Sequence, residues 1–263
     1  MKRTLAKAST LLATLLISAS ALAAPVKLVV AASPVPHAEI LEAIKPQLAK
    51  QGVDLEVKVF NDYIQPNLQV EDKHLDANFY QHIPYLDQFN KNRGTHLVVA
   101  SNPVHIEPFG AYSVKIKKVA DLKDGATVAI PNDPTNTARA LLLLQQNGLI
   151  KLKDPSNINS TEKDITANPK QLKFKELEAA TLPRVLNQVD LALINANYAL
   201  EAKLNPKRDA LFVETKSPYA NLLVSRADNK NSDAVRKLAA ALTSPEAKKF
   251  IETKYKGAVI PAF

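Results

Sequence analysis

Residues 128–145 read VAIPNDPTNTARALLLLQ, and the reading of this stretch decides that of the whole chain. An apolar strand, VAI, stops at Pro131, where a run of seven small, polar or proline residues begins, 131–137. Asn-Asp-Pro signals a turn. Pro134 with Thr135 or Asn136 predicts the start of a helix, which runs through Leu141–Leu144 to Gly148. Free backbone N–H groups at a helix start attract anions. Arg139 falls about one turn inside that start, where a guanidinium can grip a carboxylate or phosphate through two bonds. The stretch therefore reads as one strand–helix unit of an α/β sheet, built to hold something small and negatively charged.

The same alternation extends in both directions. VKLVVAAS (26–33) reads as a buried parallel strand. Pro36 opens a helix through HAEILEAIKPQLAKQ that ends at Gly52, and VDLEVKVF (53–60) alternates as a second strand. DYIQPNLQV predicts a short helix, DANFYQHIPYLDQFNK a helix with a proline inside it, and HLVVAS (96–101) a third strand. NPVHIEPFGAYS (102–113) reads as an extended crossing, after which KKVADLKDGATVAIPND restarts with a helix and a strand. KFKELE, a helix over ATLPRVLNQ and the strand VDLALINA (189–196) complete a second unit. LFVETK and SPYANLLVSR are extended and lead back, and the helices SDAVRKLAAALT and PEAKKFIETKYK close the chain.

This order predicts the α/β class and a two-lobe architecture. Residues 24–106 and 222–263 form the first lobe, and 107–221, crossings included, the second. Two crossover segments, 102–113 and 216–226, make a hinge with a cleft between the lobes. Ligands of such sheets bind at the carboxyl ends of strands, beside helix N-termini, which is where VAIPNDPTNTAR lies. Exported proteins with this plan are usually solute receptors.

Export is read from residues 1–23. Lys2, Arg3 and Lys7 precede the uncharged run LLATLLISASALA, and Ala21-Leu22-Ala23 is an A-x-A cleavage site, the pattern of a secretory signal peptide. The chain contains no Cys, which excludes a disulfide framework, thiol catalysis, thiolate metal sites and a lipid-bearing Cys. The expected product is a periplasmic protein, soluble after cleavage following Ala23 and not lipidated. The formal charge of +8 includes the three basic residues of the leader; without them 31 basic residues face 26 acidic ones, a net +5. These are dispersed, with no basic stripe interleaved with aromatics, so no nucleic acid is expected as a partner. No feature calls for an oligomer, and a monomer is expected.

Polar and aromatic residues collect where strands leave toward the cleft. In the first lobe they are Tyr63, Tyr80, His82 and Tyr85; rings beside amides in DANFYQHIPY are costly in a core unless the amides are paired, and rings with polar tips suit a pocket wall. In the second lobe they are Asn136, Arg139, Asn195 and Asn197, with Asn221 following Tyr219 in the return crossing. No acidic residue lies within four positions after Arg139, so its charge is expected to serve a ligand, and its loss to cost the unliganded protein little. No nucleophile elbow, H-E-x-x-H or phosphate-binding loop is present. His37, His82 and His105 converging on zinc is a weaker reading. A binding protein without catalytic residues, metal or cofactor is expected; an enzyme with His82 as general base is the alternative from another class.

ASPVPHAEIL, FNDYIQPN, LDANFYQHIPYLDQF, EPFGAYS, VAIPNDPTNTARALLLLQ and SPYANLLV together resemble the methionine-binding proteins of ABC importers, the MetQ/NlpA family, over nearly the whole chain from about Val26 to Lys256. The resemblance implies a periplasmic binding protein of the second structural class that captures L-methionine and delivers it to a permease with a cytoplasmic ATPase. It places the aromatic pocket for the thioether chain on Tyr63, Tyr80, His82 and Tyr85, the carboxylate-gripping Arg on Arg139, and the ligand-binding amides on Asn195 and Asn221. The residue matching Tyr80 is commonly Phe in the family, so its hydroxyl is expected to admit a more polar side chain. Receptors for D-methionine, a methionine-containing dipeptide or another apolar amino acid remain open.

Overall fold

The computed structural model describes residues 24–215 and 217–263. The leader with its expected cleavage after Ala23, and Lys216 in the return crossing, lie outside the described residues. Chain order begins with β1 (Val26–Ala32), α1 (Glu39–Lys50), β2 (Val53–Val59), α2 (Gln65–Glu71), β3 (Ala77–His82), α3 (Ile83–Arg93), β4 (Leu97–Val99) and β5 (His105–Ile106). It continues through β6 (Gly110–Tyr112), β7 (Thr127–Pro131), α4 (Pro134–Gln146), β8 (Lys151–Leu152), β9 (Ile165–Ala167), β10 (Lys173–Leu177), β11 (Leu191–Ile194), α5 (Ala196–Glu201), α6 (Pro206–Asp209) and β12 (Phe212–Val213). The return strand is β13 (Ala220–Arg226), followed by α7 (Asp233–Leu242), α8 (Pro245–Tyr255) and β14 (Ile260–Pro261).

Two sheets result. The first has the order β14-β5-β13-β3-β1-β2, with β4 also pairing β13. The second has the order β10-β7-β11-β6-β12. The chain crosses from first to second sheet through Glu107–Phe109, between β5 and β6, and returns between β12 and β13. In β1, alternate residues serve opposite faces, as a strand requires. Leu28, Val30 and Ala32 pack with α1, α7 and α8, while Ala31 packs with Val70, Leu86 and Leu222 beneath α2 and α3. The second sheet is sandwiched likewise: Val128, Ile130, Leu191 and Leu193 meet Leu141 and Leu144 of α4, and Ala129, Ala192 and Ile194 meet Leu182 and Tyr198. Each such fully buried aliphatic side chain is worth about 1.5–3 kcal/mol.

The segment 77–82, expected in a helix, is the central strand β3, with every residue buried. Strands covered on both faces lose the polar–apolar alternation by which strands are recognised, and this one carries amides inside. Asn78 and Gln81 are satisfied by Asn67 of α2: Gln81 Nε2 donates to Asn67 Oδ1 at 2.6 Å and Asn78 Nδ2 to the same oxygen at 2.9 Å. The helix begins only at Ile83, so Pro84 stands in its first turn, where a missing N–H costs nothing. The expected helices over KKVADL and ATLPRVLNQ are shorter turns, Val119–Asp121 and Ala179–Val185; Pro183 interrupts the latter.

Gly110 opens β6 immediately after the first crossing. A Cβ there would stand 2.9 Å from the Tyr112 ring, which is held at 1% exposure. Gly110→Ala is therefore expected to destabilise by about 1–3 kcal/mol, as overpacking does, measured by urea unfolding; an unchanged midpoint would show that the ring yields freely.

Candidate ligand-binding site

The carboxyl ends of β1, β2 and β3 in one sheet and of β7 and β11 in the other point at a common seam. Tyr63, Tyr80, His82, Tyr85, Arg139, Asn195 and Asn221 all line a pocket there, together with Gln81, Glu107, Asn136, Ala196 and Asn197. Pairing register places Asn221, which stands opposite His82 on β3 and His105 on β5.

The aromatic wall is tied together by its own hydroxyls. Tyr80 and Tyr85 each donate to the Tyr63 carbonyl oxygen at 2.8 Å. Tyr63 in turn donates to Asn197 Oδ1 at 2.6 Å, and its ring lies 5.0 Å from that of Tyr198, so it joins the two lobes. Leu222 and Leu223 face Gln81 and Phe79, leaving Tyr80 opposite no residue; such a bulge re-aims a side chain. The Tyr80 hydroxyl proton is thus spent on the Tyr63 backbone and is not free for a polar ligand, which the sequence did not show. Burial raises the hydroxyls of Tyr63, Tyr80 and Tyr85 well above their ordinary value, so all three are neutral donors.

His82 caps α3: its Nδ1 accepts from Tyr85 N–H at 3.2 Å, which puts the ring proton on Nε2. Burial, then the nearby Arg139 charge, lowers its pKa to about 3, so the imidazole is neutral and a feeble general base at neutral pH. It packs against Tyr219 at 4.9 Å and stays apart from His37 and His105, which converge instead on Glu107. The weaker reading, in which His37, His82 and His105 converge on zinc, is not supported: the group that converges is His37, His105 and Glu107.

Arg139 occupies the centre of the seam at 3% exposure. Its Nε donates to Glu214 Oε1 at 3.1 Å and its Nη2 to Oε2 at 2.5 Å, the fork of a bidentate carboxylate pair. Nη2 also donates to the Glu107 carbonyl at 3.0 Å, and the guanidinium carbon lies 4.3 Å from the Tyr219 ring centroid and 5.1 Å from that of Phe109. Among the described residues Nη1 has no hydrogen-bond partner, which leaves it for the pocket. The acid absent from the sequence neighbourhood is thus supplied from 75 residues away. The start of α4 is also occupied from within: Asp133 caps it, accepting from Asn136 N–H at 3.0 Å and Asn136 Nδ2 at 2.9 Å. An external anion is not needed there. Asn136 Oδ1 accepts from Asn195 Nδ2 at 2.9 Å, which leaves two buried atoms of the pocket wall, Asn195 Oδ1 and Asn197 Nδ2, without partners.

This geometry coincides with a family assignment. The family model of the NlpA lipoprotein matches residues 28–263. The chain belongs to that family. It is 45% identical over 227 residues, 85% of this chain and 82% of the relative, to the probable D-methionine-binding lipoprotein MetQ of Pasteurella multocida. It is 50% identical over 200 residues, 75% and 73% of the two chains, to the D-methionine-binding lipoprotein MetQ of Escherichia coli K12. A nutrient binding protein from Burkholderia cenocepacia, solved bound to methionine, superposes with a TM-score of 0.86 at 46% identity, covering 90% of this chain and all (100%) of the other. The two-lobe α/β fold of a periplasmic binding protein, expected from the alternation of strands and helices, is the fold of these neighbours.

The comparisons correct the expected localisation. A soluble, unlipidated periplasmic protein was expected after cleavage at Ala23, yet the family and its relatives are named lipoproteins, proteins placed at a membrane by acyl chains. The expectation rested on the leader and on the missing Cys, and the lipoprotein names of the family and its relatives overturn it. Sequence reading also passed over Glu107 and Glu214, whose roles depend on contacts made across the seam.

The Arg139–Glu214 pair alters what its loss is expected to do. Arg139→Met alone leaves Glu214, 6% exposed, as an unpaired buried charge and is expected to cost about 3–5 kcal/mol in urea unfolding of the unliganded protein, where the sequence had suggested little. Adding Glu214→Leu should restore more than half; a double variant no more stable than the single one would deny the compensation.

His82 gives the fold an acid limb. Its pKa falls from 6.5 to about 3 on folding, so its contribution is complete above pH 6.5 and is lost as the pH falls, because only the unfolded chain takes up the proton. At pH 5 the loss from this residue is about 2 kcal/mol. His82→Gln should flatten the pH dependence of unfolding free energy between pH 7 and 5 by that amount; an unchanged slope would place the titration elsewhere.

Proposed function

We propose that this NlpA-family protein is the solute receptor of an ABC importer, that its ligand is methionine, and that it hands the ligand to a permease and its ATPase. The observation that carries the reading is the composition of the pocket wall, rings together with uncommitted polar atoms. Tyr63, Tyr80 and Tyr85 contribute rings to it, and Arg139 and the amides of Asn195 and Asn197, each with an unpartnered atom, line the same pocket. A flexible, polarizable thioether gains from ring contacts. Its burial, worth roughly 1.5–3 kcal/mol, falls well short of the ~8 kcal/mol of a micromolar ligand. The polar atoms supply the remainder. Arg139, turned outward by Glu214 and the Glu107 carbonyl, takes the carboxylate through Nη1, and the Asn195 and Asn221 amides bind beside it. His82 lends a neutral face and no base, which disfavours a catalytic reading. The relatives named for D-methionine and the neighbour bound to methionine support this ligand over other apolar amino acids.

In this reading the lobes, 24–106 with 222–263 and 107–221, swing about the two crossings, and Tyr63 closes onto Asn197 over the ligand. Hinges absorb dihedral change while packed lobes stay rigid.

Calorimetric titration with L-methionine, D-methionine and a panel of other amino acids tests the proposal. A methionine enantiomer should bind at micromolar concentration or below and at least tenfold more tightly than leucine. Arg139→Lys, which preserves the charge facing Glu214 but lacks the planar fork, should weaken methionine binding by about tenfold or more. Failure of both enantiomers to bind, with another solute binding instead, would sink the assignment.

A further inference from the structure

Glu107 lies in the first crossing, 5% exposed, and is the one acidic residue among those lining the pocket. Its side chain is held from behind. His105 Nε2 stands 2.9 Å and His37 Nε2 3.1 Å from Oε1. His37 is itself oriented by Ser33, whose Oγ lies 2.6 Å from Nδ1, and Phe79 packs edge-on against both rings, at 4.9 and 5.3 Å. Burial pushes the Glu107 carboxyl up, but His37 and the hydrogen bond from His105 outweigh it and hold the group well below the usual carboxylate range. Oε2, by contrast, has no hydrogen-bond partner among the described residues.

A metal centre is one reading of such a set, since the three ligating atoms lie within 4.8 Å of one another. Tetrahedral zinc, about 2.0–2.1 Å from nitrogen and oxygen ligands, sets neighbouring ligand atoms about 3.3 Å apart. The contacts of 2.9 and 3.1 Å to Oε1 are closer than that, and the shorter, from His105, is a hydrogen bond. The imidazoles organise a carboxylate; they do not surround an ion.

Glu107 therefore brings to the pocket lining a fixed, ionised carboxylate with one uncommitted oxygen. Arg139 cannot neutralise it, because its fork is taken by Glu214. Arg139 does, however, donate through Nη2 to the carbonyl of this same residue at 3.0 Å, so cation and carboxylate are neighbours in the wall. The carboxylate and ammonium of an α-amino acid are neighbours in the same sense, on one carbon. Asn195 Oδ1, buried without a partner in the same pocket, adds a second acceptor and no second charge.

We propose that Glu107, through Oε2, is the anchor of the ligand's ammonium group, and that it restricts the receptor to ligands with a free, charged α-amino group. His37, His105 and Ser33 are its positioning residues. The assignment rests on the amino-acid receptor reading given above and adds a specificity to it: N-acylated and deaminated analogues are rejected by a carboxylate left facing an uncharged group in a dry site.

The test is calorimetric titration of wild type and Glu107→Gln with L-methionine, N-acetyl-L-methionine and 4-(methylthio)butanoate, which lacks only the amino group. Wild type is expected to bind both analogues at least 100-fold more weakly than methionine. Glu107→Gln should lose about 100-fold on methionine and no more than threefold on the deaminated analogue, so that discrimination collapses. Should that variant fail to fold, Glu107→Asp, which keeps the charge but withdraws it by one methylene, should narrow the discrimination at least tenfold. Wild type binding the deaminated analogue within threefold of methionine overturns the proposal without any variant, as does an equal loss on both ligands in Glu107→Gln. Discrimination abolished by Asn195→Ala but intact in Glu107→Gln would assign the ammonium to the amide instead. If wild type binds no amino acid at all, the receptor reading fails; if it binds methionine and Glu107→Gln discriminates unchanged, only this assignment fails.

Discussion

A permanent cation sits in the seam between the two sheets, and the rest of the site is arranged around making that tolerable. An isolated guanidinium in a dry interior is prohibitively costly. Arg139 avoids that cost by the Glu214 fork on one side, the Glu107 carbonyl on another and the rings of Tyr219 and Phe109. These partners come from both crossings: Glu107 and Phe109 from the outgoing one, Glu214 and Tyr219 from the returning one. One side chain of α4 thereby draws together the two places where the chain passes between lobes. The position of the cation and the path of the crossings are a single constraint.

The remainder of the pocket follows from what that cation leaves undone. Tyr63 accepts two tyrosine hydroxyls at its carbonyl and gives its own to Asn197, so the aromatic wall is built as a unit whose free edge reaches the opposite lobe. His82 serves twice, capping α3 through Nδ1 and packing on Tyr219, and the neighbouring positive charge helps to keep it neutral. Asp133 fills the start of α4, which removes the helix terminus as a competing anion site.

Much of this was legible from local pattern. The strand–turn–helix at 128–145, the Asn at the end of VDLALI and the Tyr and His cluster before DQF each announce a polar residue where a core would want an apolar one, and all meet in one pocket. Two things were not legible. The strand β3 was hidden because it is buried throughout and carries amides satisfied by Asn67, so neither alternation nor hydrophobicity marked it. The acids were hidden because their meaning is purely tertiary: Glu107 is 32 residues and Glu214 75 residues from Arg139. An ion pair across such separations has no signature in a sequence window, and reading Arg139 without it assigned to the ligand a charge that the fold also uses.

A ligand's chemistry is written in the atoms its receptor leaves uncommitted. Polar atoms already consumed inside the protein say little about specificity; the Tyr80 hydroxyl looked like an invitation to a polar side chain until its bond to Tyr63 was seen. The informative atoms are those left over, among them one guanidinium nitrogen, one carboxylate oxygen, Asn195 Oδ1 and Asn197 Nδ2, in a pocket that tyrosine rings also line. Opposite charges fixed close together, next to apolar surface, complement a zwitterion carrying an uncharged flexible chain. A simple anion would leave the carboxylate oxygen facing it, and an apolar solute would leave all four unpaired. Because a buried polar group without a partner costs more than a paired one gains, the remainder acts chiefly by exclusion, and discrimination among solutes resides in the atoms the fold does not use.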